Sequence, residues 1–183
     1  WVQHMITSAK PKTGRVAVVL PQGALFRQGA EARIRTHVLK SDLVDAVIGL
    51  APNLFYGTGI PACIVVLDKE NAQARSGVFM IDASKGFIKD GNKNRLRDRD
   101  IHKIVDTFTR EQVIPRYSRA VPLSEIAAND YNLSVSSYVE AEDTREKIDI
   151  TQLNAELKTT VSRIEQLREE IDLIVAEIEG GQS

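Results

Sequence analysis

Six basic side chains fall between residues 85 and 99, namely Lys85, Lys89, Lys93, Arg95, Arg97 and Arg99, interleaved with Asp90 and Asp98. Such a cluster can neutralise the backbone phosphates of a nucleic acid, with Lys89, Lys93, Arg95 and Arg97 as the candidate contacts. It reads equally well as a solvated loop. The two glycines of Tyr56-Gly-Thr-Gly59 precede an apolar run and carry no lysine, so they do not form a phosphate loop of the P-loop type. Gln22 and Gly23 close another apolar run, at the end where α/β sheets place ligands. The single cysteine, Cys63, excludes an intrachain disulfide and a thiolate zinc cluster; inside its apolar run it reads as a small buried hydrophobe. His4, His37 and His102 show no metal-ligand spacing, and no metal site is predicted.

These groups need a scaffold, and the patterning predicts one of α/β type. Val2, Met5, Ile6 and Ala9 share a helical face that stops at Pro11 and Gly14. Arg15-Val-Ala-Val-Val-Leu20, closed by Pro21, reads as a strand covered on both faces. Gln28 to Lys40 is a helix, with Ala30, Ile34 and Val38 four apart. Leu43–Leu50 and Ala62–Leu67 are two further buried strands. A loop of about ten residues joins them, too short for a helical crossover, so this pair is antiparallel and one strand of the sheet is reversed. Val78–Asp82 is a fourth strand, expected at the sheet edge, and Lys85–Asp98 is a loop. Asp100–Arg110 is a helix through Ile101, Ile104, Val105 and Phe108. Residues 115–147 are irregular with short elements, and Ser124 is expected to cap a helical turn there.

The chain has 183 residues, 43% hydrophobic and 27% charged, as expected for a globular domain with an appendage. A net charge of −1 gives no global attraction to nucleic acid, so any contact with DNA must come from local basic groups or a partner. Aromatics at 5% argue against a broad stacking surface for single strands. No apolar stretch approaches about 18 residues and no signal peptide opens the chain, so the expectation is a cytoplasmic protein with no membrane association. The start at Trp1, without an initiating Met, suggests a piece of something longer.

From Ile150 the pattern changes. Ile150, Leu153, Leu157, Thr160, Ile164, Leu167, Ile171, Ile174 and Ile178 alternate at spacings of three and four, and all but Thr160 are large and apolar. This is a heptad seam, ended by Gly180-Gly181, on a coiled-coil-type helix roughly 45 Å long. Burying each seam residue is worth about 1.5–3 kcal/mol, so the seam requires a partner helix. An intramolecular hairpin, a second copy of the chain and another protein all satisfy it.

Taken in order, several segments carry a resemblance. They are Gly14-Arg-Val-Ala-Val-Val-Leu-Pro-Gln-Gly-Ala-Leu-Phe26, Ala30-Glu-Ala-Arg-Ile-Arg35, Ala46-Val-Ile-Gly-Leu50, Asn53-Leu-Phe-Tyr-Gly-Thr-Gly-Ile-Pro-Ala-Cys-Ile-Val-Val-Leu67 and Asp130-Tyr-Asn-Leu-Ser-Val-Ser-Ser-Tyr-Val139. This set resembles the modification subunits of type I restriction enzymes, a family of DNA adenine-N6 methyltransferases, over residues 2–139. The resemblance implies the C-terminal part of a Rossmann-like methyltransferase sheet. Arg15–Leu20, Leu43–Leu50 and Ala62–Leu67 would be its fifth, sixth and antiparallel seventh strands. The implied organisation is a catalytic portion over 1–114, a connecting segment over 115–149 and an assembly helix over 150–180.

The implied reaction moves a methyl group from S-adenosylmethionine to N6 of adenine, an atom reached only after the base is flipped out of the duplex. On the residues alone, an aromatic at a strand entry reads as core packing. The resemblance instead makes Phe55, with Tyr56 beside it, the target-base stacking pair. The family's donor loop and its Asn-Pro-Pro-aromatic motif belong upstream of Trp1, and Pro52 and Asn53 lie in the wrong loop to replace them. No catalytic residue is therefore expected in this chain, which should bind neither the donor nor adenine and show no turnover alone. The implied partners are double-stranded DNA with a flipped adenine and the specificity and restriction subunits. The seam residues Ile150, Leu153, Leu157, Ile164, Leu167, Ile171, Ile174 and Ile178 would pack on the specificity subunit or form a homodimer. Two other readings stay open: a non-catalytic module that joins chains through the coiled coil, and a solitary methyltransferase with its own recognition domain.

Overall fold

The computed structural model describes residues 1–70, 72–139 and the helix 150–180, with side chains in that helix described for 153–176. The chain divides into two compact units, residues 1–142 and 143–183. The first holds α1 (Val2–Ser8), β1 (Arg15–Pro21), α2 (Ala30–Lys40), β2 (Val44–Leu50), β3 (Ala62–Asp68) and β4 (Gly77–Ala83). A small hairpin follows, β5 (Ile88–Asp90) and β6 (Lys93–Arg95), then α3 (Asp98–Thr109), β7 (Ser118–Pro122) and α4 (Leu123–Ala128). The second unit contains α5 (Ile150–Gly180).

The main sheet has the order β1-β3-β2-β4-β7. β3 runs antiparallel to both neighbours, so β1 and β2 point the same way with a reversed strand inserted between them. That is the arrangement the short 51–61 connection requires. β4 continues parallel to β2, and β7 returns antiparallel to β4. The expectation that β4 forms the edge is corrected: β7 covers it, although Ser118-Arg-Ala-Val-Pro122 has too little apolar patterning to announce a strand.

Alternation sorts the core into two faces. Cys63, Val65 and Leu67 of β3 and Val78 and Met80 of β4 pack with Leu25, Val38, Leu39, Ile126 and Val135. The other face gathers Ala46, Ile48, Leu50, Phe79, Ile81 and Ala83 under Ile104 of α3. An irregularity between Val44 and Ala46 lets β2 place Val44 and Val47 on the first face and Ala46 and Ile48 on the second. The expectation that β1 is covered on both faces is corrected as well. Val18 is buried, but Val19 is 52% exposed, because β1 lies at the end of the strand order and α3 packs on β4 instead.

Three local expectations change. The stretch read as a loop over 85–98 contains the β5–β6 hairpin, whose two-residue turn uses Gly91 at φ 61°. α3 begins at Asp98, two residues before the expected start, where the Arg97 amide donates to the Asp100 carboxylate at 3.0 Å and the Asp100 amide donates to the Arg97 carbonyl. Ser124 does not cap α4: the cap position is Pro122, with no side-chain bond.

At the end of the sheet where β1 begins and β3 finishes, an ion cluster ties the strands together. Asp68, at the end of β3, takes Arg15 at 2.9 Å and lies 3.6 Å from Arg75, which also bonds Asp45. The hydrogen bond from Arg15 holds the Asp68 carboxyl below its usual range. Burial of Cys63 pushes its thiol up to about 11, consistent with a packing role.

Candidate functional site

β1, β2 and β4 are parallel, so the loops after them leave from one end of the sheet, where open α/β sheets bind ligands. Those loops are residues 22–29, 51–61 and 84–97. β3 starts at this end, with Ala62 paired to Pro21, which brings the first two loops together. The Gln22 amide then donates to the Pro61 carbonyl at 3.0 Å.

The 51–61 loop is rooted by Ala51, which is buried, and Leu54, which packs on the α3 face of the sheet. Between these anchors Asn53 adopts φ 56°, and further on Gly57 adopts φ 77°. A Cβ at Gly59 would lie 3.0 Å from Asn53 Oδ1, so any other residue there requires the Asn53 side chain to shift. Phe55 emerges 44% exposed and Tyr56 93% exposed. Two aromatic faces at the ligand-binding end of a sheet are expensive to leave in water, and they suit a planar apolar ligand.

The hairpin meets this loop directly. The Asn94 amide donates to the Asn53 carbonyl at 2.9 Å, and its side-chain Nδ2 donates to the Pro52 carbonyl at 2.8 Å. Lys93 Nζ donates to the Phe55 carbonyl and stands 5.4 Å from the centre of the Tyr56 ring. The basic cluster and the aromatic pair, 30-odd residues apart in sequence, thus share one surface. Their charges differ in availability. Arg95 pairs with Asp90 at 3.1 Å, and Arg97 holds Asp100 through two bonds of 2.7 and 3.0 Å. Lys85 and Lys89 are exposed and make no ion pair among the described residues.

Asn94 and Arg35 were not singled out by sequence reasoning. Asn94 sits in a polar Gly/Asn stretch read as a loop, where the Asp90-Gly91 pair is the turn signal that could have found the hairpin. Arg35 is buried on α2 and donates to the carbonyls of Ala24, Arg27 and Tyr131 at 2.8–3.1 Å. Its burial lowers the guanidinium pKa, and its bonds fix the loop behind Gln22 and Gly23.

α5 forms a 31-residue helix. Its seam side chains Leu153, Leu157, Ile164, Leu167, Ile171 and Ile174 are 41–59% exposed. The Ile150 and Ile178 side chains lie outside the described residues. Among the described residues no group of three metal-ligating side chains converges, and no helix is long and apolar enough to cross a membrane.

The sequence signature of the family described as N-6 DNA Methylase matches residues 1–147. The chain is 38% identical over 98% of its length to the methylase subunit of the type I restriction enzyme MjaVII of Methanocaldococcus jannaschii. It is 36% identical over 90% of its length to the methylase subunit of the type I restriction enzyme MpnII of Mycoplasma pneumoniae. It spans about three-tenths of either relative. A solved methyltransferase subunit of a type I restriction-modification system from Streptococcus thermophilus superposes with a TM-score of 0.65 at 39% identity, over 70% of this chain and 27% of that one. The chain belongs to the N-6 DNA methylase family, within the methylase subunits of type I restriction-modification systems.

Proposed function

We propose that this chain supplies the target-base stacking surface and the subunit-assembly helix of an adenine-N6 DNA methyltransferase that works in a type I restriction-modification complex. The observation that carries the reading is the exposed pair Phe55 and Tyr56. They stand on the loop leading into the inserted antiparallel strand, at the ligand end of a sheet from this family. β1, β2 and β3 then take the places of the fifth, sixth and seventh strands of a methyltransferase sheet. An extruded adenine loses its neighbours in the stack, and an aromatic face recovers roughly 1–3 kcal/mol of that loss. Of the six basic residues over 85–99, Lys85, Lys89 and Arg99 are exposed without an ion pair among the described residues, and Lys85 and Lys89, in the loop after β4, are the ones placed to meet phosphates flanking the flipped base.

S-adenosylmethionine would supply the methyl group in the whole enzyme. The residues here do not fit it. Three carbonyls of the aromatic loop, those of Pro52, Asn53 and Phe55, are already bonded by Asn94 and Lys93. No Asn-Pro-Pro-aromatic motif occurs in the sequence to orient the adenine amine. Transfer therefore needs residues that the resemblance places upstream of Trp1, and the chain is inactive by itself. The exposed seam of α5 supports an assembly role, with the specificity subunit as partner and the restriction subunit joining the same complex on cytoplasmic DNA.

The test is methylation of a cognate duplex by the whole methyltransferase complex. Phe55→Ala should lower kcat/KM by roughly 10- to 100-fold, the equivalent of one lost stacking contact, and Phe55→Trp should restore most of it. Wild-type kcat/KM in Phe55→Ala would remove the reading.

A further inference from the structure

We propose that the β5–β6 hairpin is the positioning element of the aromatic loop, with Asn94 as its positioning residue and Lys93 as its second support. The inference rests on the reading of Phe55 as the base-stacking side chain. Residues 52–60 have few bonds of their own, such as that between the Ile60 amide and Thr58 Oγ1 at 3.1 Å. Three carbonyls along the loop, those of Pro52, Asn53 and Phe55, are instead taken by two consecutive residues of β6.

Asn94 suits this work chemically. Its side chain is 9% exposed and presents an amide donor to Pro52 while its backbone amide bonds Asn53. Aspartate has the same shape but no donor, and would set a carboxylate against a carbonyl oxygen. The bonds also fall on either side of the strained φ of Asn53, which an unsupported loop would tend to leave. The support is itself anchored. β6 runs into Arg97, whose bidentate grip on Asp100 opens α3, and α3 packs on β4. Phe55 is thereby held half-exposed before any base arrives, so capture of the base does not also have to order the loop. Lys93 belongs to the same device. Its ammonium faces the Phe55 carbonyl and the Tyr56 ring, so it orients the aromatic pair instead of a phosphate.

Three variants separate the possibilities: Asn94→Asp, Lys93→Met and Phe55→Ala. Each is measured for kcat and for KM toward cognate DNA in the whole complex, and for amide exchange of residues 54–60 in this chain. Asn94→Asp should raise KM about tenfold with kcat little changed, and should speed loop exchange about tenfold, as expected for one lost buried bond. Lys93→Met, at a partly exposed position where folding is not at stake, should shift both in the same direction by a smaller factor. It should leave the salt dependence of DNA binding unchanged. Wild-type KM and exchange in Asn94→Asp, with Phe55→Ala impaired, would overturn the hairpin's role and leave the stacking reading standing. A Phe55→Ala enzyme like wild type would overturn the stacking reading, and loop exchange alone would then decide whether the hairpin holds the loop. A salt slope made shallower by about 0.9 in Lys93→Met would put Lys93 on a phosphate and overturn its positioning role.

Discussion

At the scale of single residues, the chain separates groups that bind from groups that hold. Phe55 and Tyr56 are presented to solvent, whereas Asn94, Arg35 and Asp68 spend their hydrogen bonds inside the protein. The aromatic pair was legible because its neighbours, Asn53 to Leu67, carry a family pattern. Asn94 was not, because an asparagine in a polar stretch reads as solvated until a second loop comes against it. Of the four basic residues picked out by sequence, Arg95 and Arg97 have carboxylate partners and Lys93 faces a carbonyl, pairings that charge spacing alone does not disclose. Asp68 gives a prediction of its own. Arg15 depresses its pKa, so its contribution to stability is complete above the ordinary carboxylate value of 3.8 and is lost as pH falls through the lower folded value. Asp68→Asn should cost about 2 kcal/mol in urea unfolding at pH 7, because it removes the charge-assisted bond from Arg15 and leaves Arg75 with Asp45 as its remaining carboxylate among the described residues. That difference from wild type should shrink as the pH is taken below 3.8. A gap independent of pH would contradict it.

At the scale of elements, loop length and periodicity carried the most information. The connection over 51–61 is too short for a crossover helix, and β2 and β3 are antiparallel. The errors fell on short polar elements. β7 has five residues, Arg119 among them and only Ala120 and Val121 plainly apolar, and the β5–β6 hairpin has three residues a side, so neither shows a period. Missing β7 is what put β4 at the edge. α5 is the opposite case, a long element whose apolar period is plain while the sequence does not name what covers it. Six described seam residues stand 41–59% exposed, a stripe that water disfavours. Leu157→Glu with Leu167→Glu should abolish co-purification with the specificity subunit while leaving the thermal midpoint of the first unit unchanged. Undiminished co-purification would exclude the seam as the assembly surface.

At the scale of the molecule, the chain spans about three-tenths of its relatives and belongs to their family. Its loops bring an aromatic pair, a supporting hairpin and exposed lysines to one end of the sheet, and on the proposed reading none of them holds the methyl donor. Millimolar S-adenosylmethionine should therefore leave the thermal midpoint of this chain where it was. A rise of several degrees would mean that it holds a donor site of its own. The reading stands or falls on whether the flipped adenine is received by Phe55. The direct measurement places 2-aminopurine at the target adenine of a cognate duplex and follows its fluorescence on binding the whole complex. With wild-type protein the extruded base should stay quenched against the Phe55 ring, and with Phe55→Ala the same base, still extruded, should fluoresce several-fold more strongly. Equal fluorescence from the two complexes would show that the ring does not receive the base.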